Sequence, residues 1–224
     1  MADRFPLAMT ITPVKPGTRG QSVVEQIGAS VVFPPKKRFS LLVTPVSFIP
    51  PSMPCPELGP DNLCGIHAHK PIRCRTMPFY AYKDEDHQTD MMIPRSGWLC
   101  DTGETAPVVY RDRRIVDRAD FEAERQALVE QASAIRRYVD LLLKHSPMML
   151  ARVSKASQSS PMGRVVVSFV SLLRYDRSQD LLDFARRQAP VLEDWERITS
   201  GNSKLTEYNT YYQEALSDLR RYLQ

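Results

Sequence analysis

Prolines and cysteines are distributed unevenly along this chain. Residues 1–110 hold 15 of the 18 prolines and all four cysteines. Proline has no backbone N–H and its ring clashes with the preceding helical turn, so this part of the chain cannot form long helices. The sequence therefore predicts an α+β fold, in which a small Pro- and Cys-rich region with short strands (residues 1–110) precedes a mainly α-helical region (residues 111–224).

Two segments of the first region have the composition of strands. Residues 22–33 and 38–49 are rich in β-branched and aromatic residues and are bounded by Pro and Gly, which predicts short strands or extended segments. Residues 80–98 are polar, with mostly charged side chains from Lys83 to Gln88. This composition predicts a loop that covers or exposes the neighbouring cysteines.

The second region has the periodicity of helices. From residue 117 onward, apolar residues recur mostly at steps of three and four, which predicts an amphipathic helix ending near Pro147. These residues are Phe121, Leu128, Ala132, Ile135, Val139 and Leu142.

Shorter helices are expected to follow. Pro190 is expected to open a helix of its own, because proline fits the first turn of a helix. The apolar run within residues 163–174 fits either a buried strand or a helix, and residues 204–223 form a helix with one apolar face that docks on the preceding helices or on a partner. The helix that Pro190 opens covers residues 191–198, and the remaining predicted helices cover residues 148–157 and 178–187.

The composition is that of an ordinary soluble protein. With 224 residues, of which 42% are hydrophobic and 25% charged, the chain can bury a sizeable core. The formal net charge is +4, and the densest basic stretch, residues 111–118, contains two aspartates, which favours a solvated face over a nucleic-acid site. The sequence has no membrane-spanning segment and no signal-peptide core, so we expect a cytoplasmic location.

Three of the four cysteines lie in one short stretch. Cys55, Cys64 and Cys74 are separated by turn-forming residues, and 25 residues lie between the last of them and Cys100. Such thiols can converge on one ion without a large core to organise them. The four cysteines are therefore the predicted ligands of a zinc ion or an iron–sulfur cluster, although their spacing is not that of a zinc ribbon or finger.

The fourth ligand is open at this stage. If only three cysteines bind the metal, the remaining position falls to Cys100, His67, His69 or a molecule from outside the chain. An iron–sulfur cluster with one open iron would bind S-adenosylmethionine, whereas four protein ligands imply structure or electron storage. A site that has lost its metal is the alternative.

Two arginines flank Cys74. Arg73 and Arg75 are expected to support the site, because nearby guanidinium groups lower the pKa of a thiol and offset the charge of several thiolates. The alternative is a simple surface pairing with Asp84, Glu85 or Asp86.

The order of residues between the thiols forms a motif. It runs Cys64-x-Ile-His-x-x-Lys-Pro-x-x-Cys74-Arg-x-Met-Pro, preceded by Cys55-Pro-x-Leu. This motif resembles the signature of the YkgJ-like cysteine-cluster proteins, which are described as zinc- or iron-chelating domains and share their broad signature with flagellin lysine N-methylase. The resemblance covers roughly residues 53–80, and Cys100-Asp-Thr-Gly is similar to a Cys-x-x-Gly that follows in the family.

The chain also departs from this family. His67, Lys70 and Met77 stand where the family has tyrosine, arginine and phenylalanine, and residues 1–54 lack the dense cysteine cluster with which members usually begin. The resemblance therefore implies a smaller metal site than the family's, or one without metal.

Together these features predict a metal- or iron–sulfur-binding protein that acts with a protein partner through its helical region. One alternative is a protein- or peptide-modifying enzyme, similar to a methylase, that uses S-adenosylmethionine and iron. Another is a non-catalytic subunit with a residual structural zinc site.

Overall fold

A four-stranded antiparallel sheet lies at the centre of the fold. The computed structural model describes residues 1–33, 36–94, 100–159, 163–175 and 180–223. The strands of this sheet are β1 (Leu7–Val14), β2 (Ala29–Phe33), β3 (Lys37–Ser47) and β6 (Val165–Ser168), in the order β2-β3-β1-β6. Two short strands, β4 (Tyr110–Arg111) and β5 (Arg114–Ile115), form a separate two-stranded sheet. The α+β prediction is confirmed: a sheet built mainly from the N-terminal part precedes a set of C-terminal helices.

The segment predicted as a strand over residues 22–33 is two elements. Helix α1 (Gln21–Ile27) precedes β2, and β2 is only the second part of the predicted strand. Val23, Val24 and Ile27 are buried on one side of α1, and this burial overrides the strand preference of the valines. Gly28 ends the helix beside β3, where a Cβ would collide with the carbonyl oxygen of Leu41.

Two prolines lie inside the central strands. Pro13 of β1 and Pro45 of β3 both belong to the β1–β3 ladder. However, β1 pairs with β6 only through Ala8–Ile11, and β3 pairs with β2 only through its first five residues. Each proline therefore lies where its strand has only one neighbour. Its missing N–H need not interrupt a ladder on the other side. The strand predicted over residues 38–49 is confirmed as β3, whereas β1 was not predicted.

Helices cover both faces of the sheet. Helices α3 (Ala119–His145) and α4 (Pro147–Gln158) pack on one face through a core that includes Met9, Leu41 and Val139. Helices α6 (Leu181–Thr199) and α7 (Thr206–Leu223) form the other layer, with Ala8, Leu192 and Tyr212 in its core. The long amphipathic helix and the short helix after it are confirmed, and the apolar face of α7 docks on α6 and the sheet.

The region from residue 163 to residue 199 differs from the prediction in two ways. The apolar run at 163–174 contains both β6 and the short helix α5 (Val170–Leu173). Pro190 does not open a helix but lies inside α6. Proline removes one helical hydrogen bond, and burial of Ala189, Leu192 and Trp195 around it offsets that cost. Residues 178–179 of the predicted helix lie outside the described residues.

The sheet draws strands from both halves of the chain, since β6 follows α3 and α4 in sequence but pairs with β1. The cysteine region has a small core of its own, described below. Among the described residues, no helix is long and apolar enough to cross a membrane.

Candidate metal centre

The first two cysteines lie at the ends of a tight turn. Leu58 forms an antiparallel bridge with Cys64, and the amide of Leu58 donates to the carbonyl oxygen of Cys55 at 3.0 Å. Asn62 has a positive φ of 62°, a conformation that asparagine tolerates better than most residues. The turn residues of the sequence thus hold Cys55 and Cys64 on one small loop.

The third cysteine lies on a single helical turn. Helix α2 (Ile72–Arg75) follows Pro71, and the amide of Cys74 donates to the carbonyl oxygen of Pro71 at 2.8 Å. The hydroxyl of Thr76 bonds the Ile72 carbonyl oxygen at 2.9 Å and that of Asp120 at 3.4 Å. This second contact joins the end of α2 to the start of α3.

The three thiols lie close enough to interact electrostatically. Although Cys74 is exposed, the atoms around its thiol partly desolvate it and raise its pKa, and the charges of Cys55 and Cys64 raise it further. Arg73 and Lys70 act in the opposite direction, as opposite charges do. The contribution of Arg73 has the expected direction, but burial and the two neighbouring thiols outweigh it, so the net effect is a raised pKa.

The thiols do not form a closed coordination shell. Within the described part of the chain, no three Cys, His, Asp or Glu side chains converge as a metal-holding group. Cys55, Cys74 and Cys100 are exposed and Cys64 is half-buried. The donors fit zinc or iron in kind, because thiolates are the ligands that these sites use.

The other predicted ligands are placed less favourably. His67 and His69 are exposed on one turn of 3₁₀ helix. Cys100 follows residues 95–99, which lie outside the described residues. The charges that act most strongly on Cys74 come from Cys55, Cys64, Arg73 and Lys70, so the first two cysteines lie within electrostatic range of the third without converging on one point.

The two arginines beside Cys74 bind α3. Arg73 Nη1 lies 3.1 Å from Glu124 Oε2, and Arg75 Nε lies 3.4 Å from Asp120 Oδ1. The alternative pairing with Asp84, Glu85 or Asp86 is wrong for both arginines. Glu85 instead forms ion pairs with Arg114 and Arg118; these have N–O distances of 3.3 and 3.1 Å.

Residues 79–94 pack beneath the segment that carries the first three cysteines (residues 55–77, here called the cysteine loop). Phe79, Ala81, Ile115 and Phe121 form a small core that is separate from the two faces of the sheet. The fully buried Gln88 holds this segment by accepting from the Tyr80 amide at 3.0 Å and donating to the Tyr80 carbonyl oxygen at 2.9 Å. The predicted polar loop is thus anchored to the first half of α3, while its residues 95–98 lie outside the described residues.

A cleft next to this segment is the feature that the sequence did not predict. It has a volume of about 230 Å³, and no cysteine lines it. The buried Nδ1 atom of His87 has no hydrogen-bond partner among the described residues and lies 3.7 Å from Asp84 Oδ2 and 3.6 Å from Asp86 Oδ1. Three cations and three carboxylates line the cleft: Arg19, Lys83, Arg113, Asp84, Asp86 and Asp90.

No protein-family profile matches the chain, and no curated protein or solved structure matches it significantly. The resemblance to the cysteine-cluster proteins is neither supported nor contradicted by these comparisons, and it stays a prediction.

Proposed function

We propose that the protein binds a zinc ion or an iron–sulfur cluster through Cys55, Cys64 and Cys74. The observation that supports this proposal most is the placement of Cys55 and Cys64 on one small loop and of Cys74 on the helical turn that follows it, near enough for both thiols to raise the pKa of the third. Thiolates that repel one another gain from a cation placed between them. A metal ion therefore removes the repulsion that raises the pKa of Cys74.

The basic side chains around the loop support the same function. Lys70 and Arg73 both lower the pKa of Cys74 and would offset part of the negative charge of three thiolates on one metal. The fourth coordination position falls to Cys100, to His67 or His69, or to a molecule from outside the chain. Four protein ligands would make the site structural, whereas an external ligand would leave it open for chemistry.

The proposal includes a protein partner. The apolar face of α7 is already buried against α6 and the sheet, so it offers little surface to a partner. Leu58, Leu63 and Met77 of the cysteine loop are exposed, and we place the partner contact there.

Elemental analysis of protein purified without oxygen tests this proposal. We expect about one zinc per chain, or about four irons with matching sulfide. Cys64→Ser and Cys74→Ser variants should each lose the metal, because both thiols are proposed ligands. Cys100→Ser separates the two forms of the site: lost metal indicates four thiolates, and retained metal indicates three. A wild-type protein without zinc, iron or sulfide would overturn the proposal.

A further inference from the structure

Glu124 is a buried carboxylate below the cysteine loop. It is only 6% exposed, although it lies on the amphipathic helix α3 among charged residues that face solvent. Both of its oxygens accept from Arg73 Nη1, at 3.4 and 3.1 Å. A buried carboxylate needs such a partner, because an unpaired buried charge is strongly destabilising.

Arg73 connects this carboxylate to the thiols. Arg73 directly precedes Cys74 on α2, and its Nη2 atom donates to the carbonyl oxygen of Phe79 at 2.6 Å. Its guanidinium carbon also lies 4.3 Å from the centroid of the Tyr80 ring. One planar guanidinium thus joins the Cys74 turn, the segment after it and α3, which a lysine with a single nitrogen could not do.

We propose that Glu124 is a positioning residue for the metal centre. Acting through Arg73, it fixes the Cys74 turn on α3 and so sets where the third thiol lies relative to Cys55 and Cys64. This inference rests on the proposed function and adds the residue that determines the affinity of the site. Cys55 and Cys64 share a turn of their own, so the Cys74 turn is the part of the site whose position depends on α3.

The test compares three variants of the full-length protein. Glu124→Gln keeps the size of the side chain but removes its charge. Glu122→Gln is the matched control, since Glu122 lies on the same helix but pairs with Arg118. Leu128→Val is the structural control, because Leu128 packs on the same small core as Phe121.

Zinc affinity, measured by competition with a chelator, is the first readout. Glu124→Gln should weaken it by about tenfold, as loss of a residue that orients a ligand does. Both controls should stay within about twofold of the wild type. Equal affinity in Glu124→Gln and wild type, or an equal loss in Leu128→Val, would overturn the inference.

The alkylation rate of Cys74 in the metal-free protein is the second readout. Removing the charge of Glu124 weakens the Arg73 contact that holds the Cys74 turn on α3, so Cys74 becomes more accessible and the reaction should speed up by about threefold or more. An unchanged Cys74 rate would overturn the inference, whatever the zinc affinity of the variant. If the wild type binds no metal, the proposed function fails, and the alkylation rate still decides whether Glu124 positions Cys74.

Discussion

At the residue scale, the pKa of Cys74 results from burial and from charges that act in opposite directions. Burial and two neighbouring thiols raise its pKa, while Lys70 and Arg73 lower it. The thiolate is the form that binds metals and attacks electrophiles. Cys74 is therefore held mainly as a thiol in the metal-free protein, and a metal must displace its proton in order to bind.

This competition predicts the pH dependence of alkylation at Cys74. In the metal-free protein, the rate should reach half its maximum at a higher pH in the folded chain than in urea, because the folded chain raises the pKa of this thiol. Cys55→Ser should shift the folded profile to lower pH, since it removes one of the charges that raise the pKa. Mass spectrometry of the alkylated peptide measures both profiles. Coincident profiles in the folded and unfolded states would contradict this reading of Cys74.

The sequence indicated which residues to consider for the site but not the contacts that these residues make. The clustering of Cys55, Cys64 and Cys74 among turn residues was visible in the sequence, and the structure places their thiols within electrostatic range. The pairing of Arg73 with Glu124 could not be predicted, because 51 residues separate them. Only the fold of the small core determines which carboxylate lies beside the arginine.

At the scale of elements, α3 connects two separate cores. Phe121 and Glu124, near its start, face the cysteine region, while Ile135, Val139 and Leu142 pack on the sheet. The cysteine region is thus attached to one end of a helix whose other end belongs to the main fold. Movement of the cysteine loop need not disturb the sheet.

Phe121→Ala tests this separation. Truncating a buried phenylalanine removes about 3–5 kcal/mol of packing free energy, and the loss should fall on the small core. Hydrogen exchange should speed up in residues 79–92 and 110–115, while the amides of β1 keep their protection. Val139→Ala, which creates its cavity beneath the sheet, is the matched control and should reduce the protection of β1. Equal loss of protection in both regions of Phe121→Ala would show that the molecule has one cooperative core.

Helices whose apolar residues recur at regular steps were predictable, and elements stabilised by tertiary packing were not. The apolar pattern of α3 determines it locally, and its helix appears where expected. Helix α1 contains two valines, so composition alone favoured a strand. Burial against α3 and β3 stabilises the helix instead. Strand β1 was missed because Pro13 breaks its pattern, and α6 continues through Pro190 because its neighbours are buried in the second core.

At the scale of the whole molecule, a rigid layered body carries an exposed cysteine loop. The sheet lies between two helical layers, and the loop is tied to α3 by the Arg73–Glu124 and Arg75–Asp120 pairs. A further ion pair between Arg4 and Glu57, with an N–O distance of 3.1 Å, ties the first part of the loop to the N-terminal segment. The loop is thus attached to the N-terminal segment and to α3, while Cys55 and Cys74 remain exposed.

The central claim is that three thiols of this loop bind one metal together. Alkylation of each cysteine, measured by mass spectrometry in the protein as purified and again after the metal is stripped with a chelator, tests it most directly. We expect Cys55, Cys64 and Cys74 to be protected from alkylation before the metal is stripped and to become reactive together afterwards. The reactivity of Cys100 shows whether a fourth thiol binds the metal. Equal reactivity of the three thiols before and after stripping would contradict the claim.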